Sequence, residues 1–277
     1  STGWTGNHVK SADGGEDYYG LAGLYLQTTS PRRPARSVIV TKPHAGLTGF
    51  TNELELYYLK QPDGGRLKVT VDGKTREIST ASRTKGPGYE QWELPEALHR
   101  IEITTSADGP VRLFGLSLDR RQPGVVIDAM GIPGARARTQ LLWNDALYRE
   151  HLTRRRPDLV VLAYGTNEAG DEGQPIEDYA AALRKVVARV RQTVPQASCL
   201  LVGPSDRPTR SDAGTYLDRP RTAQIIATQR EVSGEFGCGF FDLVSFMGGP
   251  LSMLDWCDGA PPFGAQDHVH FTARGYE

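Results

Sequence analysis

The spacing of apolar residues changes near residue 120, and this change limits the folds that the chain can adopt. Beyond it, short apolar runs over 159–164, 199–202 and 239–243 alternate with segments whose apolar residues recur at helical spacing. Near-continuous apolar runs of this length are typical of strands buried within a parallel sheet. The alternation therefore predicts an α/β unit in which helices cover both faces of a parallel sheet.

One more strand and three helices follow from the same pattern. A strand is predicted over 125–128 and a helix over roughly 137–153. A second helix, ending near Pro195, has an apolar face formed by Tyr179, Leu183, Val186, Val187 and Val190. A third helix has its apolar face formed by Ile225, Thr228, Val232 and Phe236. Because ligands of such sheets bind at the carboxyl ends of the strands, the residues that follow each strand are the candidates for function.

Residues 21–119 lack a helical period and have the pattern of short strands separated by turns. Alternating runs that predict strands cover 54–59, 67–71, 74–78, 99–103 and 111–116. Asp72-Gly73 predicts a two-residue hairpin between two of these runs. The pattern predicts an antiparallel β-sandwich or jelly roll over 21–119, with 1–20 as an entry segment and 120–277 as the α/β domain.

Charge and composition argue against nucleic acid and membrane partners and against a zinc site. The net charge of −1 gives no attraction to nucleic acid, and no apolar stretch is long enough to span a bilayer. Cys199, Cys238 and Cys257 do not form a zinc-binding pattern, and no metal site is predicted. Buried thiols are the favoured interpretation of Cys199 and Cys238. A bridge from Cys238 to Cys199 or to Cys257 remains open for an exported protein.

Asp267 and His270 form the first candidate for chemistry. The Asp-x-x-His spacing places a carboxylate and an imidazole on one turn. The carboxylate can then hold the imidazole in the tautomer that accepts a proton from a nucleophile. His268 is the competing base, but no carboxylate precedes it by three residues. We therefore predict that His270 is the general base and that Asp267 orients it.

Gly165 and Asn167, directly after the run 159–164, form the second candidate. Glycine permits a tight turn there, and the Asn167 amide can donate a hydrogen bond to a developing oxyanion. Glu168 is predicted to lie just outside this donor set, as a supporting residue or as a cap of the next segment. Gly134 opens the helix predicted over 137–153, where it would bring a backbone N–H close to a substrate oxygen. A plain turn is the alternative for both glycine segments.

A nucleophilic serine is missing from this set. The sequence contains neither Gly-Asp-Ser nor Gly-x-Ser-x-Gly. Ser205, in Gly203-Pro204-Ser205-Asp206, follows a later strand and is a poor substitute. The chain begins at Ser1 without methionine and ends at Glu277 just after the Asp-x-x-His motif. We therefore expect truncation at both ends, with the nucleophile upstream of Ser1.

The motif order in residues 125–277 resembles the SGNH, or GDSL-type, esterase superfamily, with glycine after the second strand, Gly-x-Asn after the third, and Asp-x-x-His near the end. The resemblance implies a flavodoxin-like parallel sheet without its first strand, and a Ser-His-Asp triad that Asp267 and His270 complete. It implies that Gly134 and Asn167 donate to the oxyanion with the nucleophile's own N–H, without metal or organic cofactor. The chain departs from the family pattern in lacking the first motif, Gly-Asp-Ser.

A β-domain directly before the second motif resembles the peptidoglycan O-acetylesterase branch, in which a carbohydrate-binding-like domain separates the first two motifs. The resemblance implies an esterase that removes O-acetyl groups from a polysaccharide or peptidoglycan, in the periplasm or outside the cell. It also implies that the 277 residues alone are inactive. The alternatives are acetyl transfer to a sugar hydroxyl by the same residues, and a non-catalytic polysaccharide-binding protein. The oligomeric state is not indicated.

Four aromatic residues of the β-domain, Tyr57, Tyr58, Tyr89 and Trp92, are candidates for stacking on sugar rings. Adjacent Tyr57 and Tyr58 point to opposite faces of a strand, so at least one of them is predicted to lie in the core. A core position is favoured over sugar contact for this group.

Overall fold

The computed structural model describes residues 2–11, 18–30 and 32–277. The chain divides into two compact units, the first comprising Ser1–Ile132 and Trp143–His151, the second Pro133–Leu142 and Leu152–Glu277. This division is discontinuous in sequence and differs from the single boundary predicted after residue 119. The segment that carries Gly134 belongs to the second unit, together with Asn167 and His270.

The described residues of the first unit form nine strands. They are β1 (Trp4–His8), β2 (Leu24–Thr28), β3 (Arg36–Val40), β4 (Thr51–Lys60), β5 (Arg66–Val71), β6 (Lys74–Ser79), β7 (Gly86–Ala97), β8 (Arg100–Thr105) and β9 (Arg112–Asp119). They form a five-stranded sheet in the order β1-β2-β9-β4-β7 and a four-stranded sheet in the order β3-β8-β5-β6. The pairings are antiparallel, which confirms the predicted architecture. Strand β1 lies within the segment predicted to be only an entry to this domain.

The hairpin between β5 and β6 shows how directly this unit follows from its sequence. Val71 pairs with Lys74, so Asp72 and Gly73 form a two-residue turn, with φ of 48° and 85°. Both residues need positive φ in such a turn, which Asp tolerates and Gly adopts freely. The predicted hairpin is confirmed. On β5, Leu67, Val69 and Val71 alternate into the core.

The aromatic candidates of this unit are mainly packing residues. Tyr58 and Trp92 are buried in the apolar core. Tyr57 and Tyr89 are partly buried and meet edge to face, with ring centroids 5.4 Å apart. The core prediction is confirmed for Tyr58.

The second unit contains a parallel sheet. The strands described in this unit are β10 (Leu159–Ala163), β11 (Ser198–Val202), β12 (Thr209–Arg210), β13 (Tyr216–Leu217) and β14 (Gly239–Phe241). The parallel sheet has the order β10-β11-β14, and β12 and β13 form a separate hairpin. The α-helices of the described chain are α1 (Asp145–Arg155), α2 (Ile176–Thr193), α3 (Pro220–Phe236), α4 (Leu243–Met247) and α5 (Ser252–Asp258). The predicted apolar face of α2 is buried.

Two predicted elements are interrupted by capping residues. The helix predicted over 137–153 is instead a 3₁₀ turn, Ala137–Leu142, followed by α1. The break occurs because the Asn144 side chain accepts the N–H of Leu147 at 3.0 Å and so starts a new helix. The strand predicted over 239–243 ends at Phe241, because Asp242 caps α4 by accepting the N–H of Ser245.

The strand predicted over 125–128 is wrong. These residues are irregular and have no strand partner within the described chain, and Val125 and Ile127 are 88% and 85% exposed. At the end of the chain, Arg274–Tyr276 form a 3₁₀ turn.

The prediction that both faces of the parallel sheet are covered is also wrong for the described residues. Leu162 on β10 and Leu201 on β11 are buried on one face. Leu159 and Val161, which alternate to the other face of β10, are 51% and 49% exposed. The face of β10 that carries Leu159 and Val161 is therefore partly open, and β10 is also the edge strand of the sheet order β10-β11-β14.

A disulfide joins Cys199 of β11 to Cys238, the residue before β14. The favoured interpretation of these two residues as buried thiols is therefore wrong, and the Cys199–Cys238 alternative is the one observed. Cys257 is a free thiol whose Sγ donates to the carbonyl of Ala265 at 3.1 Å. Among the described residues, no helix has the length and apolar character needed to cross a membrane.

Candidate active site

Asp267 and His270 form a close carboxylate–imidazole pair. Asp267 Oδ2 lies 2.6 Å from His270 Nδ1, and Asp267 Oδ1 accepts the backbone N–H groups of Val269 and His270, each at 3.0 Å. The His270 backbone N–H, followed by its imidazole, lowers the pKa of Asp267 to about 2. The ionised carboxylate fixes the hydrogen on Nδ1, so that Nε2 is left as the proton acceptor.

The imidazole of His270 is available for chemistry. Its side chain is 70% exposed, and Nε2 has no hydrogen-bond partner among the described residues. His268, the competing base, is held differently. Its Nδ1 contacts the Tyr216 hydroxyl of β13 at 3.2 Å, and the two rings pack with centroids 4.6 Å apart. These contacts favour His270 over His268 as the candidate base.

Gly165 and Asn167 follow β10, as the sequence predicts. Gly165 has φ of 120°, and a Cβ there would lie 3.0 Å from both Ile225 and Pro204. Only glycine meets both constraints. Asn167 Nδ2 donates to the carbonyl of Ala135 at 2.9 Å. Because a carbonyl can only accept, this bond fixes which end of the amide faces Ala135. The second hydrogen of Nδ2 has no partner within the described chain.

The Asn167–Ala135 bond brings the Gly134 segment to the end of β10. Gly134 has φ of 70°, which glycine adopts without strain. Arg136 strengthens the junction, because its guanidinium forms a bidentate pair with Asp171, with both contacts at 2.5 Å. Arg136 lowers the pKa of Asp171, and the pair is therefore ionised at neutral pH.

Glu168 lies inside this junction and not beside it. Its side chain is buried, and its two carboxylate oxygens accept the N–H of Ala137 at 2.7 Å and the N–H of Gly165 at 3.1 Å. Burial raises the pKa of Glu168, opposed by these N–H groups and by the charge of Arg136. The sequence predicted that Glu168 lies just outside the group of oxyanion donors. It did not predict that Glu168 links the segments of Ala137 and Gly165.

Ser205 connects the segment of Asn167 with that of His270. Its backbone N–H donates to Thr166 Oγ1 at 3.3 Å, and its hydroxyl donates to the carbonyl of Val269 at 3.5 Å. Both candidate segments therefore lie at the end that follows β11. Ser205 itself is buried and forms no hydrogen bond with His270, so it does not act as the nucleophile in this arrangement.

Sequence reasoning missed the contribution of Arg136, Asp171 and Arg207. Arg207 Nη1 donates to the carbonyl of Thr166 at 2.6 Å and lies against Gly170, where a Cβ would approach its guanidinium to 2.9 Å. None of these residues belongs to a short motif. Asp171 and Arg207 lie eight and five residues after the ends of β10 and β11, and Arg136 directly precedes the 3₁₀ turn Ala137–Leu142, so their positions in the sequence give little signal.

A parallel sheet with a carboxylate–imidazole pair and backbone turns at its carboxyl edge is the arrangement expected of an α/β hydrolase. Residues 82–277 match the GDSL-like lipase/acylhydrolase family, and the chain belongs to this family of ester-hydrolysing enzymes. The resemblance to the SGNH superfamily is thereby confirmed. No curated protein matches the chain with significant similarity.

Solved structures agree with this fold. The chain is similar to a peptidoglycan O-acetylesterase, with a TM-score of 0.73 and 23% identity over 99% of this chain and 71% of that chain. It also matches an acetyl xylan esterase (TM-score 0.39, 17% identity, 52% of this chain and 72% of that chain). A family two carbohydrate esterase from Cellvibrio japonicus gives a TM-score of 0.28 and 14% identity over 86% and 88% of the two chains. Only the first likeness is close enough to bear on the fold.

Proposed function

We propose that this chain is part of a serine carbohydrate esterase that removes O-acetyl groups from a polysaccharide or peptidoglycan. The observation that carries the proposal is the Asp267–His270 pair, whose exposed Nε2 lacks a partner among the described residues. A serine hydroxyl supplied from outside the 277 residues would complete a triad there. The structural likeness to a peptidoglycan O-acetylesterase supports the choice of substrate class.

The reaction follows from these roles. His270 Nε2 takes the serine proton while the serine oxygen attacks the acetyl carbonyl, and the oxyanion accepts hydrogen bonds from Asn167 Nδ2 and the Gly134 N–H. Protonated His270 then gives the proton to the departing sugar oxygen, leaving an acetyl-enzyme. Water, deprotonated by His270, attacks this ester, and acetate leaves as the serine recovers its proton. Asp267 stabilises the imidazolium in both halves of the reaction.

The open side of β10 supports a nucleophile on an additional strand. Parallel sheets are normally buried on both faces, and exposed edge strands can pair with further strands. Strand β10 is at the end of the order β10-β11-β14, and its side chains Leu159 and Val161 are about half exposed on one face of the sheet. A serine carried at the carboxyl end of a strand paired with β10 would arrive at the same edge as Asn167.

The Cys199–Cys238 disulfide supports a place outside the cytoplasm. Disulfides persist in the periplasm and outside the cell, whereas reducing systems in the cytoplasm usually keep thiols reduced. This agrees with a periplasmic or extracellular carbohydrate substrate.

The test compares a longer natural chain that carries the upstream segment with its His270→Ala variant. Acetate release from O-acetylated peptidoglycan and from acetylated xylan is measured. His268→Ala is the matched control, because it removes a neighbouring imidazole that has no carboxylate partner. We expect loss of activity for His270→Ala and retention for His268→Ala. Absence of acetate release from every acetylated substrate would overturn the proposal. Transfer of acetyl to an added sugar, detected by mass spectrometry, would indicate the transferase alternative.

A further inference from the structure

We infer that Glu168 is a positioning residue that holds the Gly134 segment and Asn167 in one oxyanion-binding arrangement. The inference rests on the proposed esterase function. Its physical basis is the junction of the two segments, whose hydrogen bonds all lie within the second unit.

The Glu168 carboxylate joins two backbone groups that are far apart in sequence. Ala137 follows the Gly134 segment, and Gly165 precedes Asn167. Their N–H groups point at the two oxygens of one buried carboxylate, at 2.7 Å and 3.1 Å. A carboxylate offers acceptors on both oxygens and no donor, so it suits a site where two N–H groups converge.

The same junction sets the orientation of Asn167. Ala135 accepts from Asn167 Nδ2 at 2.9 Å, and Ala137 lies two residues further along the same irregular segment. Movement of Ala137 away from Glu168 therefore moves the carbonyl that orients the amide. Gly134, with its φ of 70°, has no side chain that could hold this segment in place.

A buried carboxylate carries a cost at this position. Burial disfavours the charged form and raises the pKa of Glu168. Since the folded pKa lies above the unfolded value, the stabilising contribution of this group is present below the unfolded pKa and lost as pH rises through the folded pKa. Burial therefore works against the ionised form of Glu168, and the N–H groups of Ala137 and Gly165 offset this effect.

Glu168→Gln tests the inference, because glutamine keeps the size of the side chain but offers one acceptor and one NH₂ donor. The NH₂ group then faces either Ala137 N–H or Gly165 N–H, so one of the two bonds is lost. In the active longer chain we expect kcat to fall by roughly 10–100-fold, less than on deletion of an oxyanion donor, with KM within about twofold. The melting temperature is expected to fall by only a few degrees, because one hydrogen bond is lost while a buried charge is also removed. Glu168→Asp, one methylene shorter, cannot span both groups and should not restore kcat.

Val187→Ala is the matched control for stability. Val187 is fully buried in α2 and contacts neither candidate segment through a hydrogen bond. Its truncation should lower the melting temperature and leave kcat unchanged. A large loss of kcat with a small loss of stability for Glu168→Gln, beside the opposite result for Val187→Ala, is the signature of positioning.

A second measurement needs no esterase activity. Hydrogen exchange of the 277-residue chain is followed by mass spectrometry in peptides that cover 133–139 and 164–168. For Glu168→Gln we expect exchange in at least one of these peptides to be faster by about tenfold. Unchanged exchange in both peptides would overturn the inference at the level of structure. Faster exchange with unchanged kcat would overturn the positioning role and leave the esterase proposal intact. An inactive longer chain with faster exchange would overturn the proposed function, and with it the inference.

Discussion

Asn167→Ala is the substitution that most directly tests the oxyanion assignment. In a chain that carries the nucleophile, we expect kcat to fall by roughly 10²–10³-fold, equivalent to about 2.7–4 kcal/mol of transition-state stabilisation. KM should change by less than about twofold, because the lost donor acts only where charge develops. The assay is acetate release from an O-acetylated polysaccharide, with kcat and KM determined separately.

The structure separates two consequences of this substitution. One Nδ2 hydrogen binds the Ala135 carbonyl at 2.9 Å, and the other, which has no partner among the described residues, is the proposed oxyanion donor. Loss of the first removes about 0.5–1.5 kcal/mol of folding stability, since a neutral hydrogen bond contributes about that much. For a chain of this size, the melting temperature should fall by about 2–4 °C per kcal/mol. Only the loss of the second hydrogen should appear in kcat.

Asn52→Ala is the matched control in the first unit. Asn52 Oδ1 accepts the N–H of Arg121 at 2.8 Å, so this variant also deletes one side-chain amide bonded to the backbone. We expect a small stability loss and an unchanged kcat. If Asn167→Ala instead raised KM and left kcat alone, Asn167 would be a ground-state contact or a turn former. The oxyanion assignment would then be withdrawn even with an intact triad.

Four further predictions concern the pair, the nucleophile and the disulfide. The 277-residue chain should hydrolyse p-nitrophenyl acetate no faster than a denatured control, and turnover abolished by His270→Ala would contradict the absence of a nucleophile. In the longer chain, His270→Ala should lower kcat more than Asn167→Ala, and Asp267→Asn should lie between wild type and His270→Ala. Folding lowers the pKa of Asp267 to about 2. The ionised Asp267 should therefore stabilise the fold at a pH above the pKa of the unfolded chain, and this stabilisation should be lost as the pH falls towards 2. Chemical shifts of His270 should report this acid transition. Reducing the Cys199–Cys238 bridge, which spans 39 positions, should cost about 4 kcal/mol of unfolding free energy in calorimetry at matched pH.

The elements with a strong local pattern were predictable. The hairpin at Asp72-Gly73 needs only two residues that accept positive φ between alternating strands. The buried face of α2 follows from its 3.6-residue period. The close approach of Asp267 to His270 is likewise encoded within one turn of four residues.

The failures share a different cause. The strand expected over 125–128 is apolar, but a strand needs a neighbour, and the described chain supplies none. The helix over 137–153 has apolar residues throughout, yet Asn144 competes for a backbone N–H and restarts the helix. An apolar pattern does not show whether a strand has a partner to pair with. It also does not show whether a polar side chain will bind a backbone N–H and start a new helix.

The junction at Glu168 illustrates why the candidate site could be predicted only in part. Sequence reasoning identifies Gly134 and Asn167 by type and by position after a strand, but it does not join them. The joining contacts run from Asn167 to Ala135 and from Glu168 to Ala137, across about 30 residues of chain.

The contacts that hold the candidate residues are internal to the second unit. Asn167 is oriented by Ala135, Asp267 is bonded to His270, and Ser205 bridges the two segments. If the proposed roles hold, these bonds would align the donors and the base before the serine reaches them. Leu56→Ala, a substitution in the core of the first unit, should therefore lower the stability. The factor by which Asn167→Ala lowers kcat should be the same with and without Leu56→Ala.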